Sequence, residues 1–364
     1  MLWAIEPHTS AKHDILRKYL DAWLPILGKF NQKTVYIDGF SGPGEYRDGE
    51  PGSPIIALEA ASCHQAKLAG ELVFIFIEER PDRVAHLKSR IATMRLPAQF
   101  RVHVEQGTFA ERLTHILDEL DAQQGQIAPT FALIDPFGFA GIPYTLIKRL
   151  LAKPRCEVLI NFMVEHINRF LTHPHDEVRA HITDAFGTDE ALKVAFGPGN
   201  RAEALKNLYH EQLRKSARYV RYFEMCGGDN RVVYYLFFAG NSQLGHLRMK
   251  EAMWKVDPVG EFRFSDATDP NQTLLFNAPA PAARLAEELS ARFRDAGEIP
   301  VSLIETHVED DTGYLGKHMR EALQQLEREG QLIVSRLKSD GTKRRGGSFP
   351  SDAFVTFREK YSLF

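Results

Sequence analysis

Three carboxylates each close an apolar run: Asp38 in VYIDGF, Glu78 in FIFIE and Asp135 in ALIDPF. If those runs are parallel strands, all three acids stand at carboxyl ends, where open α/β sheets bind their ligands. Glycines 39, 42 and 44 follow Asp38 in DGFSGPG. Such a turn either simply reverses the chain or lets the backbone of Phe40, Ser41, Gly42, Pro43 and Gly44 approach a ligand, with amides facing a carboxylate or phosphate. The dinucleotide pattern G-x-G-x-x-G fails because its third glycine is Arg47, and the next helix waits until Ser53; G-x-x-x-x-G-K-S/T is also missing. Glu78, with Glu79 beside it as the alternative, is placed to accept hydrogen bonds from both ribose hydroxyls of a nucleoside. Gln106, Gly107 and Thr108 end a third run with small and polar groups suited to the edge of a flat heterocycle. Asp135, Pro136 and Phe137 end a fourth, offering a carboxylate, a backbone carbonyl and a ring free to stack. Two acceptors converging on an amine would aim its lone pair at an electrophile, which is catalysis by proximity rather than by a strong base.

Two sets of basic residues stand apart from these acids. His8, Lys12, His13, Arg17 and Lys18 near the N-terminus read either as a solvated helical face or as a helix that covers the cleft or touches phosphate. Near the C-terminus Arg336, Lys338, Lys343, Arg344 and Arg345 surround Gly341 with one acid, Asp340, among them. Lys317, His318, Arg320 and Gln324 precede them on a helix that also carries Glu321 and Glu327. A patch of this kind either neutralises phosphates, giving salt-dependent binding, or serves as a solubilising or protein-docking loop.

The elements that must position these groups follow from hydrophobic periodicity. After a helix over roughly 10–27, strand-length runs at 34–40, 72–78, 100–107, 131–137 and 156–163 alternate with amphipathic stretches of helix length. Nearly continuous apolar strands separated by helices require a parallel sheet covered on both faces, a doubly wound α/β fold. Ser53 followed by Pro54 reads as an N-cap with proline at the first helical position. Residues 164–217 are polar and helical, and 219–240 form a hairpin around Gly227-Gly228-Asp229-Asn230. A helix follows at 245–256, and NAPAPAA at 277–283 is a hinge. Beyond it come three helices and two short strands around a polar turn, the order of a winged helix. The division expected is an α/β domain over 1–276, with a helical insert at about 164–217, and a winged helix-turn-helix domain over 284–364.

Bulk properties narrow the class. The chain has 364 residues, 44% hydrophobic and 26% charged, so it can bury a sizeable core. A net charge of −3 gives no global attraction to nucleic acid, so any such binding must be local. Cys63, Cys156 and Cys226 are widely spaced with no CxxC pair, which supports neither a disulfide framework nor a zinc site; no metal is expected. With no cationic start and apolar core of a signal peptide, and no apolar run of spanning length, a cytoplasmic location is expected.

The ordered set HTSAKHDILRKYLDAW, YIDGFSGPGEY, GSPIIALEAA, LIDPFGF, INFM and NSQLGHLRMKEAMW, with the terminal winged-helix region, resembles the three-Cys-motif partner family over essentially the whole chain. More broadly, D-x-F-S-G-x-G, the acid ending strand two and D-P-aromatic resemble class I S-adenosylmethionine-dependent methyltransferases. The resemblance implies a Rossmann-like methyltransferase domain that binds S-adenosylmethionine, and a partner protein, radical-enzyme-like, that bears three cysteines. It implies that Phe40–Gly44 line the methionine part of the cofactor, Asp38 supports that loop and Glu78 takes the ribose. Gly107 and Thr108 would lie near adenine, Thr108 standing where many methyltransferases carry an acid. Asp135, Pro136 and Phe137 would face the methyl acceptor; D-P-F-G lacks one proline of the Asp/Asn-Pro-Pro-aromatic pattern of nucleic-acid amino-methyltransferases. The expected activity is methyl transfer to a nucleic acid, DNA or RNA, held through the winged helix. The rivals are a cofactor-binding adaptor without turnover and, last, a metal-dependent nuclease using Asp38, Glu78 and Asp135, which lacks a compact D…E-x-K arrangement.

Overall fold

The computed structural model describes residues 2–64, 68, 70–122, 127–257, 261–266, 280–335, 341 and 345–358. The chain divides into two compact units, the first made of residues 1–256 and 263–269, the second of 257–262 and 270–364. Among the described residues no helix is long and apolar enough to cross a membrane.

In the first unit the elements run α1 (Pro7–Gly28), β1 (Lys33–Asp38), α2 (Ser53–Ser62), β2 (Glu71–Glu78), α3 (Pro81–Ala92), β3 (Phe100–Gln106), α4 (Phe109–Ala122), β4 (Thr130–Ile134), α5 (Tyr144–Leu151) and β5 (Cys156–Phe162). The helices α6 (Val164–Phe170), α7 (Asp176–Phe186), α8 (Glu190–Lys193) and α9 (Arg201–Arg214) follow, then β6 (Tyr219–Cys226), β7 (Val232–Gly240), α10 (Gln243–Val256) and β8 (Arg263–Ser265). The sheet order is β3-β2-β1-β4-β5-β7-β6-β8. Strands β1 to β5 are parallel, whereas β7 slots antiparallel between β5 and β6. This is a doubly wound, Rossmann-like sheet, parallel through β1 to β5 and ended by an antiparallel pair. Every residue of β4 and β5 is buried, as central strands covered on both faces must be.

Chain reversal between β1 and β4 in the sheet order makes the switch point, and it opens a crevice at their carboxyl ends. The N-cap of α2 is Gly52 rather than Ser53, with Pro54 in the first turn. Two three-residue strands, β8 and one in the second unit, add to the expected elements, because three residues carry no alternation to detect.

α1 buries Ile15, Leu16, Tyr19, Leu20 and Trp23, a stripe at helical spacing. Burial of side chains of this size stabilises by about 1.5–3 kcal/mol each. Tyr19 and Trp23 pack on Phe131 of β4 at ring distances of 4.8 and 5.9 Å. Their polar tips, the Tyr19 hydroxyl and Trp23 Nε1 (3.0 Å), both donate to Glu157 of β5.

The second unit contains α11 (Pro281–Phe293), β9 (Glu298–Pro300), α12 (Val301–Asp311), α13 (Gly316–Arg328), β10 (Leu332–Val334) and β11 (Phe354–Phe357). Its sheet is antiparallel in the order β10-β11-β9, so the wing gains a third strand. Leu285, Leu289, Ile304, Val308, Leu323 and Leu326 are buried between the helices, and Phe293 stacks on Phe357 at 5.8 Å. The result is a winged helix.

Candidate functional site

The carboxyl ends of β1, β2, β4 and β5 enclose a cleft with two lobes. One lobe, of about 560 Å³, is lined by Phe40–Tyr46, Gly52, Ser53, Asp135–Phe137 and Asn161, and by Trp3, His8, Lys12 and His13 from the N-terminal segment. The other, of about 540 Å³, is lined by Phe40, Glu78–Arg80, Arg83, Gly107–Phe109 and Pro136–Gly141. Phe40, Pro136, Phe137 and His166 border both.

The loop after β1 is held open from below. Gly39 must lack a side chain, since a Cβ there would stand 2.5 Å from the Phe109 ring, on which Phe40 stacks at 5.5 Å. Gly42 has φ +63°, and its missing side chain would point into open space. Asp38 Oδ1 accepts from the Phe40 amide (3.2 Å) at the loop's first turn. Its Oδ2 is buried without a hydrogen-bond partner. Burial pushes the Asp38 carboxyl up to about 7, opposed by the Ser53 hydroxyl and the Phe40 amide and reinforced by Asp135. Ser41 donates through both its amide and its hydroxyl to the Ile77 carbonyl (2.9 and 3.1 Å), which locks the loop to β2.

Glu78 is 6% exposed. One carboxylate oxygen accepts from the Gly42 amide (3.0 Å) and the other from the Arg80 amide (2.8 Å). Each oxygen keeps a further lone pair for a ligand hydroxyl. Thr108 shares its group with the chain instead: its hydroxyl and amide donate to Glu111 (2.9 and 3.2 Å), while the Glu111 amide donates back to the hydroxyl (3.3 Å). That is a capping box at the start of α4. Its signature, T-F-A-E, is present in the sequence.

Asp135 is engaged on both sides. Lys12 Nζ of α1 donates to Oδ2, and Asn161 Nδ2 of β5 donates to Oδ1 (2.6 Å). The N-terminal helix therefore covers the cleft, and a lysine ammonium sits where the sequence suggested a substrate amine. Lys12 is 5% exposed and lies 5.6 Å from the Tyr234 ring centroid. His13 beside it is held down to about 3, by burial first and then by the Lys12 charge, so it stays neutral. Phe137 is 62% exposed at the cleft mouth. Trp3 meets it edge-on at 5.3 Å and Tyr46 at 5.9 Å, with the Arg83 guanidinium 5.0 Å from the Trp3 ring. Asp38, Glu78 and Asp135 thus have separate partners, and among the described residues no three His, Cys, Asp or Glu side chains group as a metal site.

Trp3 and Arg83 join the site from outside its sequence motifs, while Lys12 and Asn161 lie in stretches that carry the resemblance, which gives them no role at Asp135. Lys12 carries a signal all the same: it lies three, four and seven residues before Ile15, Leu16 and Tyr19, on the buried stripe of α1. A lysine on an apolar stripe needs a buried partner.

In the winged helix, Lys317, Arg320, Glu321, Gln324 and Arg328 are the exposed residues of one face of α13. Gln324 Nε2 donates to the Gly347 carbonyl (3.0 Å), tying that face to the wing, where Arg345 is exposed. Arg336, Lys338, Lys343 and Arg344 lie outside the described residues.

Residues 263–339 match the family model of the GMT-like wHTH domain. No curated protein matches the chain. Among solved structures, human methyltransferase-like protein 13 in complex with SAH is 10% identical, with a TM-score of 0.36, over 75% of this chain and 97% of that one. The O-methyltransferase TomG from Streptomyces achromogenes, in complex with SAM, is 15% identical at TM-score 0.35, over 66% and 92%. The O-methyltransferase from Bacillus cereus in complex with SAH is 14% identical at TM-score 0.35, over 65% and 83%.

Proposed function

We propose that this chain transfers a methyl group from S-adenosylmethionine to a nucleic acid. The observation that carries the proposal is Glu78: it ends β2 and binds the Gly42 amide, so the glycine loop and the ribose-binding acid form one wall of the cleft. The residues present fit the cofactor. Glu78 has spare acceptors for a vicinal diol, and the Gly42 side of the loop is open. Gly52 and Ser53 bring the N-terminus of α2, a favourable place for the methionine carboxylate, to the lobe that Gly42 lines. When bound, the cofactor supplies an electrophilic sulfonium methyl. The protein's part is alignment: Phe137 stacks the acceptor, and Asp135 and the Pro136 carbonyl fix the reacting atom in line. The winged helix supplies phosphate contacts through α13 and the wing. The partner protein with three cysteines enters this proposal on the family resemblance alone.

The adaptor reading draws on one observation, that both Asp135 oxygens already have partners within the chain. Incubation of the purified chain with methyl-labelled cofactor and RNA or DNA separates the two. Transfer that falls by about 100-fold or more in Asp135→Ala supports catalysis. Cofactor binding without label in either nucleic acid rejects it in favour of the adaptor.

A further inference from the structure

The geometry points to an oxygen acceptor: we propose that Lys12 and Asp135 work as a pair on a hydroxyl, so that the substrate is a ribose 2′-hydroxyl of RNA. This rests on the methyl-transfer reading above. Lys12 is buried in the lobe that Phe137 borders, with its ammonium on Asp135 Oδ2. Methyl transfer to a neutral base amine leaves a growing positive charge on nitrogen, and a fixed ammonium beside it opposes that charge. A hydroxyl is affected in the opposite way when its proton leaves as the bond forms, because its oxygen then gains negative rather than positive charge. As its oxygen attacks the methyl carbon, the carbon–sulfur pair leaves with sulfur, the carbon–oxygen bond forms, and the hydroxyl proton must depart. Asp135 takes that proton. Passing the proton to Asp135 while the carbon–oxygen bond forms keeps the oxygen from becoming a cationic oxonium. The Lys12 side chain, held on Asp135, favours the negative charge that the oxygen gains as its proton leaves. Asn161 orients Asp135 by donating through its Nδ2 to Oδ1. Within a nucleic-acid chain, internal hydroxyls exist in RNA and not in DNA, which selects the ribose.

The test uses the full chain with methyl-labelled S-adenosylmethionine and total cellular RNA, with DNA in parallel, followed by digestion to nucleosides and mass spectrometry. Label in 2′-O-methyl nucleosides is expected. Lys12→Met should lower the rate by about 100-fold with S-adenosylhomocysteine affinity unchanged, and Lys12→Arg should recover part of it. Label on a base nitrogen, or wild-type transfer by Lys12→Met, overturns the oxygen assignment while leaving methyl transfer intact. Failure to bind S-adenosylhomocysteine, or no label in either nucleic acid, rejects the underlying reading and this proposal with it. If Lys12→Met does not fold, the nucleoside identified with the wild-type chain still decides.

Discussion

Gly42 is the residue at which fold and binding separate most cleanly. An added Cβ meets nothing within 4 Å, so a larger side chain enters the open lobe. The positive φ makes a β-branched residue there cost roughly 1–3 kcal/mol of strain. Gly42→Val is therefore expected to lose cofactor binding while still melting cooperatively, at a temperature lowered by several degrees, in parallel calorimetric and circular-dichroism measurements. Glu78→Ala should behave less cleanly, because it frees the Gly42 and Arg80 amides as well as removing the carboxylate proposed to take the ribose. It should lower both affinity and melting temperature; an unchanged affinity would remove Glu78 from the site. The three acids were legible because each ends an apolar run, where chain pattern and position coincide. What Asp135 touches was not legible: Lys12 stands 123 residues away in sequence, and only the sheet's closure under α1 brings the pair together.

At the scale of the element, α1 is fastened by Glu157. Burial pushes this carboxyl up to about 7, with Tyr19 and Trp23 pulling the other way. Its unfolded value lies near 4.5. Stability from the protonated group is therefore fully present below about 4.5 and is lost as pH rises through 7. Asp38 acts in the same direction, and neutral His13, held down to about 3, acts in the opposite one below 6.5. Comparing Glu157→Gln with wild type isolates the one group. Between pH 5 and pH 8 the difference in unfolding free energy should move toward the variant by on the order of 3 kcal/mol, at 1.36 kcal/mol per unit. A difference that stays flat across that range in urea titrations would show that Glu157 does not titrate there. The helix itself was readable from its apolar stripe, and so were all five parallel strands. A buried glutamate inside the run CEVLINF left no mark in the pattern, because Glu157 replaces one core position without disturbing the rest.

For the whole molecule, the winged helix predicts where the charge dependence resides. The exposed face of α13 carries Lys317, Arg320 and Arg328, against one acid, Glu321. Replacing the three by alanine should weaken RNA binding and reduce the slope of log K against log salt by about 0.7 for each phosphate no longer neutralised. Cofactor affinity should not change. An unaltered salt slope would place the nucleic-acid surface elsewhere than α13. The order of three helices and a wing was legible from periodicity, whereas β9, which completes the wing's sheet, is too short to leave a pattern.

The central claim is that the cleft at the ends of β1 and β2 holds S-adenosylmethionine, and calorimetric titration of the full chain with S-adenosylhomocysteine tests it most directly. Binding at one site per chain, abolished in Gly42→Val with the fold retained, is the predicted result. No binding by the wild-type chain, or undiminished binding by Gly42→Val, would contradict it.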